Sequence, residues 1–316
     1  MSNVLILVDL EGIIGFSSLS QVTENEKLLV VQLEKTIGIL HEFSYHNITL
    51  CIVHNNNSRI ASSIAHKGLC IINDFYKLVE NITNFEFAIM VGFHGMRASG
   101  GVFDHSFRND ITMFSYGNKE IGEIGAFTRW FISESVPVIF VSGEGLFRHE
   151  LADLQNVVTH RVKSKISIDD EQTLFNEYAL FSASLIASLN EWQKMYTTYR
   201  IHSFSEKVFV TVDNKDKYTI LGAEPYKFKT SGDFFIFSDL KDFFSNLIRF
   251  CTALSYATTA ICRKNLAFIK MIREGIRDCK EFPSKIADKH INLIDYNDRR
   301  ILANLVEMEY EDSEYC

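Results

Sequence analysis

The sequence predicts an α/β fold: a mostly parallel sheet flanked by helices, with a smaller α+β second unit and a helical C-terminal extension. Three observations predict it. Short apolar runs of strand length alternate with longer segments of helical periodicity from the N-terminus onward. The first run is continuously aliphatic rather than alternating, as in a strand covered on both faces. Several runs end in polar or ionisable residues, where an open parallel sheet exposes its carboxyl edge.

The elements follow in order. Val4 to Val8 is a run of five aliphatic residues and reads as a buried strand. Glu24 to Phe43 sets Leu28, Leu29, Val31, Leu33, Ile37 and Leu40 at helical spacing. Ile48 to Val53 is a second strand, broken by His54-Asn55-Asn56-Asn57-Ser58. Ile60 to Leu69 reads as a short helix and Phe85 to Val91 as a third strand, ending in Gly92-Phe93-His94. A polar loop from Gly95 to Asp104 precedes a strand at Ile111 to Tyr116, with Gly117-Asn118 as its turn. Ile124 to Ser133 is helical, and Pro137 to Val141 is the next strand. Val157 to Val162 and Lys207 to Val212 read as strands, and Asp169 to Trp192 and Leu240 to Ile261 as long helices. Beyond Arg263 the chain is charged and helical, ending in the acidic tail Glu309 to Glu314. No Pro-rich or Gly/Ser-rich linker occurs, so the boundary falls between 145 and 165. The expected parts are an α/β domain over 1–155, a smaller α+β domain over 156–263 and the extension over 264–316.

Composition narrows the function. The chain has 316 residues, 47% hydrophobic and 23% charged, with a formal net charge of −8. Without a run of Lys and Arg, nucleic acid is excluded as a partner. No window approaches 18 uninterrupted apolar residues, and no basic, cleavable leader opens the chain, so no membrane partner is expected. The six cysteines are scattered and form no Cys-x-x-Cys pair, which predicts reduced thiols and a cytoplasmic location. The 26 phenylalanines predict large apolar interfaces.

The chemistry concentrates at strand ends. Asp9 and Glu11 lie two apart after the first strand, so in extended chain both side chains point the same way. Such carboxylates hold a metal or a positive ligand, or Asp9 caps a turn; both readings stand. His54 and its asparagines follow the second strand and His94 the third. Carboxylate and imidazole converging on one sheet edge suit zinc or a similar divalent ion. His105 lies 11 residues after His94, beyond a loop able to fold back over that edge. Glu123 sits in Ile121-Gly122-Glu123-Ile124-Gly125, either as a site carboxylate or as an acid satisfying a helix dipole. Lys163 reads as solvated charge, and His149 and His160 have no evident partners. Nucleophile-elbow, Walker and dinucleotide fingerprints are absent.

Taken in order, these pieces resemble the bacterial zinc-dependent D-aminopeptidase family of the DppA type, over roughly residues 3 to 262. The pieces are Val8-Asp9-Leu10-Glu11-Gly12-Ile13-x-Gly15, Gly92-Phe93-His94, and Gly101-Val102-x-x-His105-Ser106. Ile121-Gly122-Glu123-Ile124-Gly125, Val136-Pro137-Val138 and Val162-Lys163-x-x-Ile166-Ser167 complete them. The resemblance implies a two-metal site in which Asp9 bridges the ions, Glu11 serves one, and His94 with Glu123 completes the other. It also implies His105 as the catalytic histidine and a ring-shaped homo-oligomer. One position departs from the family. Its Asn-Asp-Ser-His pattern reads His54-Asn55-Asn56-Asn57 here, which puts Asn57 at a metal-ligand position. A neutral amide is a poorer zinc ligand than imidazole. The expectation is a metal-dependent, aminopeptidase-like hydrolase, with one or two zinc ions, that cleaves N-terminal residues, D-amino acids in particular, from short peptides or amides. The alternative is a catalytically degenerate member that binds a peptide or protein.

Overall fold

The computed structural model describes residues 3–16, 18, 22–53, 69–72, 75–101, 104–196, 204–221 and 228–264. Expectations for His54, Asn55, Asn57, the helix at Ile60 and the extension beyond Lys264 lie outside these residues.

The strands are β1 (Asn3–Val8), β2 (Asn47–Ile52), β3 (Leu69–Ile72), β4 (Phe87–Phe93), β5 (Ile111–Tyr116), β6 (Lys119–Glu120), β7 (Val138–Gly143), β8 (Val158–Arg161), β9 (Val208–Val212), β10 (Thr230–Ser231) and β11 (Phe234–Phe237). The α-helices are α1 (Val22–Glu42), α2 (Phe75–Asn81), α3 (Glu123–Ser133), α4 (Glu171–Met195), α5 (Lys215–Leu221) and α6 (Leu240–Lys264). A six-stranded parallel sheet has the order β3-β2-β1-β4-β7-β8. The smaller sheet has the order β10-β11-β9-β5-β6. The expected class, a mostly parallel sheet between helices with a lesser α+β part, is the class observed. The strand at Leu69–Ile72 was not legible, because four residues at a sheet edge carry no periodicity of their own.

In the parallel sheet the strand order turns back between β1 and β4. From β1 the chain builds outward through β2 and β3, then returns to build β4, β7 and β8 on the other side. Such a switch point opens a crevice at the carboxyl ends of the two central strands. Val4 to Val8 are fully buried there, and every residue of β4 is buried. This explains their unbroken apolar sequences.

The chain divides into two compact units, one of Met1–Val210 with Ile236–Asn246, the other of Thr211–Phe235 with Leu247–Cys316. In the first, α1 and α4 cover one face of the parallel sheet. Tyr178 Oη of α4 donates to the Leu28 carbonyl at 3.0 Å, and Ser188 Oγ to that of Ile139 at 2.8 Å. Asp170 caps α4 by accepting from the Thr173 N–H. On α3, the Phe127 and Trp130 rings pack with Phe93, Phe75 and Phe244, and Phe107 joins Phe114 and Phe243. In the second unit, Gly232 (φ +58°) turns the β10–β11 hairpin, and Tyr218 stacks on Phe235 at 4.7 Å.

Candidate metal centre

Asp9, Glu11, His94, His105 and Glu123 come together at the β1–β4 switch point. Backbone bonds stitch the two strand ends: Asp9 N donates to Val91 O at 3.0 Å, and Gly12 N to Gly92 O at 2.8 Å. Two glycines permit this approach. A Cβ at Gly12 would fall 1.6 Å from the Phe93 carbonyl oxygen. Gly92 has φ +78°, and a Cβ there would lie 2.3 Å from the Asp9 carbonyl oxygen.

His94 is at the centre. It is 1% exposed, and its Nδ1 lies 3.0 Å from the Gly95 carbonyl oxygen. A proton on Nδ1 donated to that carbonyl leaves the Nε2 lone pair aimed inward. Nε2 makes no hydrogen bond. It faces Glu11 Oε2 at 3.4 Å, Glu123 Oε1 at 3.4 Å and Asp9 Oδ2 at 3.6 Å. The His105 ring stacks on His94 with centroids 4.2 Å apart, and its Nε2 lies 3.6 Å from Glu11 Oε2 and 3.9 Å from Glu123 Oε1. Two overlapping donor sets result, Asp9 with His94 and Glu123, and Glu11 with His94 and His105.

Burial disfavours a charged His94, but Glu123, Asp9 and Glu11 outweigh it and hold its pKa well above the ordinary value. Even a protonated His94 leaves an excess of negative charge among three buried carboxylates. Uncompensated buried charge is costly, and a divalent cation between mixed O and N donors removes that cost. The donor set and the inward-facing Nε2 both fit such an ion.

Each side chain has a local reason for its position. Asp9 Oδ1 accepts from the Leu10 N–H at 2.7 Å, which fixes the carboxylate and leaves Oδ2 toward His94. The capping role and the ligand-like role thus coexist in one residue. Glu123 opens α3, and its Oε1 accepts from the Phe107 N–H at 2.6 Å. Phe107 has φ +61°, an unfavourable backbone for an aromatic residue, held by its packing on Phe114 and Phe243. That turn begins at Ser106, bridged to Arg108, directly after His105. Lys163 is exposed, and its carbonyl accepts from Gly15 N at 3.0 Å. His160 lies away from the site elements on β8, with Nδ1 3.0 Å from Ser184 Oγ.

Two supporting residues were not found from the sequence. Gln32 of α1 is fully buried; its Oε1 accepts from Ile14 N at 3.1 Å, and its Nε2 reaches Ser142 Oγ at 3.4 Å. It ties the segment after Glu11 to the end of β7. Glu150 is fully buried behind α3, with its carboxylate on the Gly122 and Gly125 N–H groups at 2.7 and 3.0 Å. Burial pushes its pKa up, against the pull of those N–H groups. The available signal was negative: the N-cap of α3 is Gly122, with no Ser, Thr, Asp or Asn side chain to cap the helix, so its acceptor had to come from elsewhere.

The D-aminopeptidase family (peptidase M55) matches residues 2–219 of the chain. The D-aminopeptidase of Bacillus subtilis (strain 168) is 26% identical over 172 residues, which cover 51% of this chain and 63% of that protein. The chain therefore spans a little under two thirds of the length of that relative. Among solved structures, the Zn-dependent D-aminopeptidase DppA from Bacillus subtilis, a self-compartmentalizing protease, shares the fold with a TM-score of 0.68. The two are 16% identical, with 79% of this chain and 97% of that one covered. Because the family match spans more than half of the sequence, the chain belongs to the D-aminopeptidase family, peptidase M55.

Proposed function

We propose that the chain is a metal-dependent, aminopeptidase-like hydrolase that removes N-terminal residues, D-amino acids in particular, from short peptides or amides. The observation that carries this reading is the buried His94 Nε2, without a hydrogen bond and ringed by three carboxylate oxygens at 3.4–3.6 Å. Zinc is the proposed ion, one or two per chain. Asp9, His94 and Glu123 would hold the first, and Asp9 and Glu11 would contribute to a second. Once bound, such an ion supplies Lewis acidity toward a carbonyl oxygen and toward water. The protein's own part is to orient and to move protons. His105 lies over the site within 4 Å of Glu11 and Glu123, placed to give or take a proton at Nε2. A carboxylate not engaged by the ion, or a second ion, would bind the free amine of the substrate. Assembly into a homo-oligomer is part of the proposal and draws support from the self-compartmentalizing relative. Among the described residues no helix is long and apolar enough to cross a membrane.

One observation favours a second reading. Asn57 stands where the family pattern has a histidine ligand, which argues for one tight ion and a weakened or lost second, with altered or absent turnover. Metal content per chain separates the readings, measured on protein purified without a metal-affinity tag, then after zinc addition and dialysis. Two ions with hydrolysis of D-peptides support the first. One ion without turnover, restored by Asn57→His, supports an eroded binding scaffold. No ion after zinc addition overturns the metallohydrolase reading.

A further inference from the structure

Glu150 is a buried carboxylate that no expectation for the site included. It belongs to the 3-10 turn Phe147–Leu151 and is 0% exposed. Its Oε2 accepts from Gly122 N at 2.7 Å and Gly125 N at 3.0 Å, and its Oε1 accepts from Met96 N at 3.3 Å. Gly122 and Gly125 flank Glu123 at the start of α3. Met96 follows His94 by two residues. One carboxylate therefore joins the two segments that present Glu123 and His94.

The surrounding residues are built for this contact. A Cβ at Gly122 would come within 2.6 Å of the Met96 Cβ and 3.1 Å of Glu150 Oε2, and one at Gly125 within 3.1 Å of the same oxygen. Glycine at both positions lets the carboxylate reach the helix N–H groups. An ordinary cap is supplied by the residue beside the helix and fixes only local backbone. Here the acceptor comes from 28 positions away, so capping the helix also fixes its place against a distant turn. A second clasp holds that turn. Arg129 of α3 is 1% exposed and donates from its Nη2 to both oxygens of Asp153, at 2.6 and 2.9 Å. Lys119 Nζ donates to the Glu150 carbonyl at 3.3 Å and also pairs with Asp153.

We propose that Glu150 is a positioning residue: by bonding Met96 N together with Gly122 N and Gly125 N, it sets His94 and Glu123 at the separation a divalent cation needs. This rests on the metal reading given above. Residues that orient metal ligands from behind are worth about 10- to 100-fold in metal affinity. A role in stability alone would lower the melting temperature and leave the affinity of the folded protein unchanged.

The test is a titration of metal-free wild type, Glu150→Gln and Glu150→Ala with Co(II), followed by its visible absorption spectrum, then by competition with zinc. Folding is checked by circular dichroism. Gln keeps the length and one acceptor oxygen; Ala keeps neither. The expected order of affinity is wild type, then Gln, then Ala, with Ala about 10- to 100-fold below wild type and the Co(II) bands shifted. Affinities within twofold of wild type and an unchanged spectrum in the folded variants overturn the proposal. If the Ala variant does not fold, the Gln variant decides by the same criterion. A wild type that binds neither ion overturns the metal reading and this proposal with it. A wild type that binds while the variants match it overturns only the role of Glu150.

Discussion

Replacing Gly12 by Ala tests whether the backbone joint between β1 and β4 sets the site. The added Cβ would lie 1.6 Å from Phe93 O, 2.2 Å from Phe93 C and 2.9 Å from His94 N. All three are backbone atoms, so no side chain can swing aside. Real Cβ atoms stay beyond 3.0 Å, so Gly12 and the peptide before His94 must part by more than about 1 Å. Asp9 and Glu11 move with one side of that joint and His94 with the other. Donor distances in a metal site tolerate only about 0.2 Å, and disturbing the support of metal ligands costs about 10- to 100-fold in affinity. The variant should therefore lose cation affinity by at least that factor. Overpacking adds about 1–3 kcal/mol of destabilisation, and losing the bond from Gly12 N to Gly92 O adds about 1 kcal/mol. The control is Gly38→Ala on α1, where a Cβ meets nothing within 4 Å. That change should stabilise by about 0.5–1 kcal/mol and leave affinity alone. Thermal unfolding of the metal-free protein and zinc competition read both effects. A Gly12→Ala protein with wild-type melting and affinity within twofold would mean that this joint does not set the site.

Three further outcomes are expected. His105→Ala should abolish turnover while metal content stays near that of wild type, checked by elemental analysis beside a peptide assay; full turnover removes His105 from the chemistry. Asp153 titrates in the accessible range. Partial burial raises its pKa, but hydrogen bonds from Lys119 and Arg129 outweigh this and hold it at about 2, below the ordinary 3.8. Its contribution to stability is thus present above pH 4 and lost as pH falls through 2. Asp153→Asn should be less stable than wild type at neutral pH, with the gap closing in acid denaturation between pH 4 and 2; a gap that persists unchanged at pH 2 contradicts this. Cys51 on β2 is 1% exposed, and burial pushes its thiol up to about 12. Native protein at pH 8 should be alkylated at the exposed Cys70 and spared at Cys51, as mapped by peptide mass, until it unfolds.

Much of the site could be read along the chain because a parallel sheet converts sequence order into spatial order. A buried strand announces itself by an unbroken apolar run, and the residue after it must sit on the carboxyl edge. Asp9, Glu11 and His94 were legible for that reason; Glu123, whose helix start reads equally as an acid on the helix dipole, joined the candidate site only through the family resemblance. The short strand β3 was not, since edge position and brevity remove the pattern. Gln32 and Glu150 were not legible either. Each is a polar residue in a local context that resembles solvated surface, and each acts on backbone far away in sequence.

The alternation of strands and helices, the identity of the carboxylates and imidazoles, and the family were all readable in the chain, because apolar periodicity and residue chemistry are local properties. Three-dimensional packing alone made β1 and β4 neighbours, brought His94 Nε2 near three carboxylates at once, and set Glu150 against the backbone of Met96, Gly122 and Gly125. Those facts depend on strand order and on backbone approach at Gly12, Gly92, Gly122 and Gly125. Distances between segments far apart in the chain are fixed by packing and buried hydrogen bonds, which no stretch of sequence carries alone.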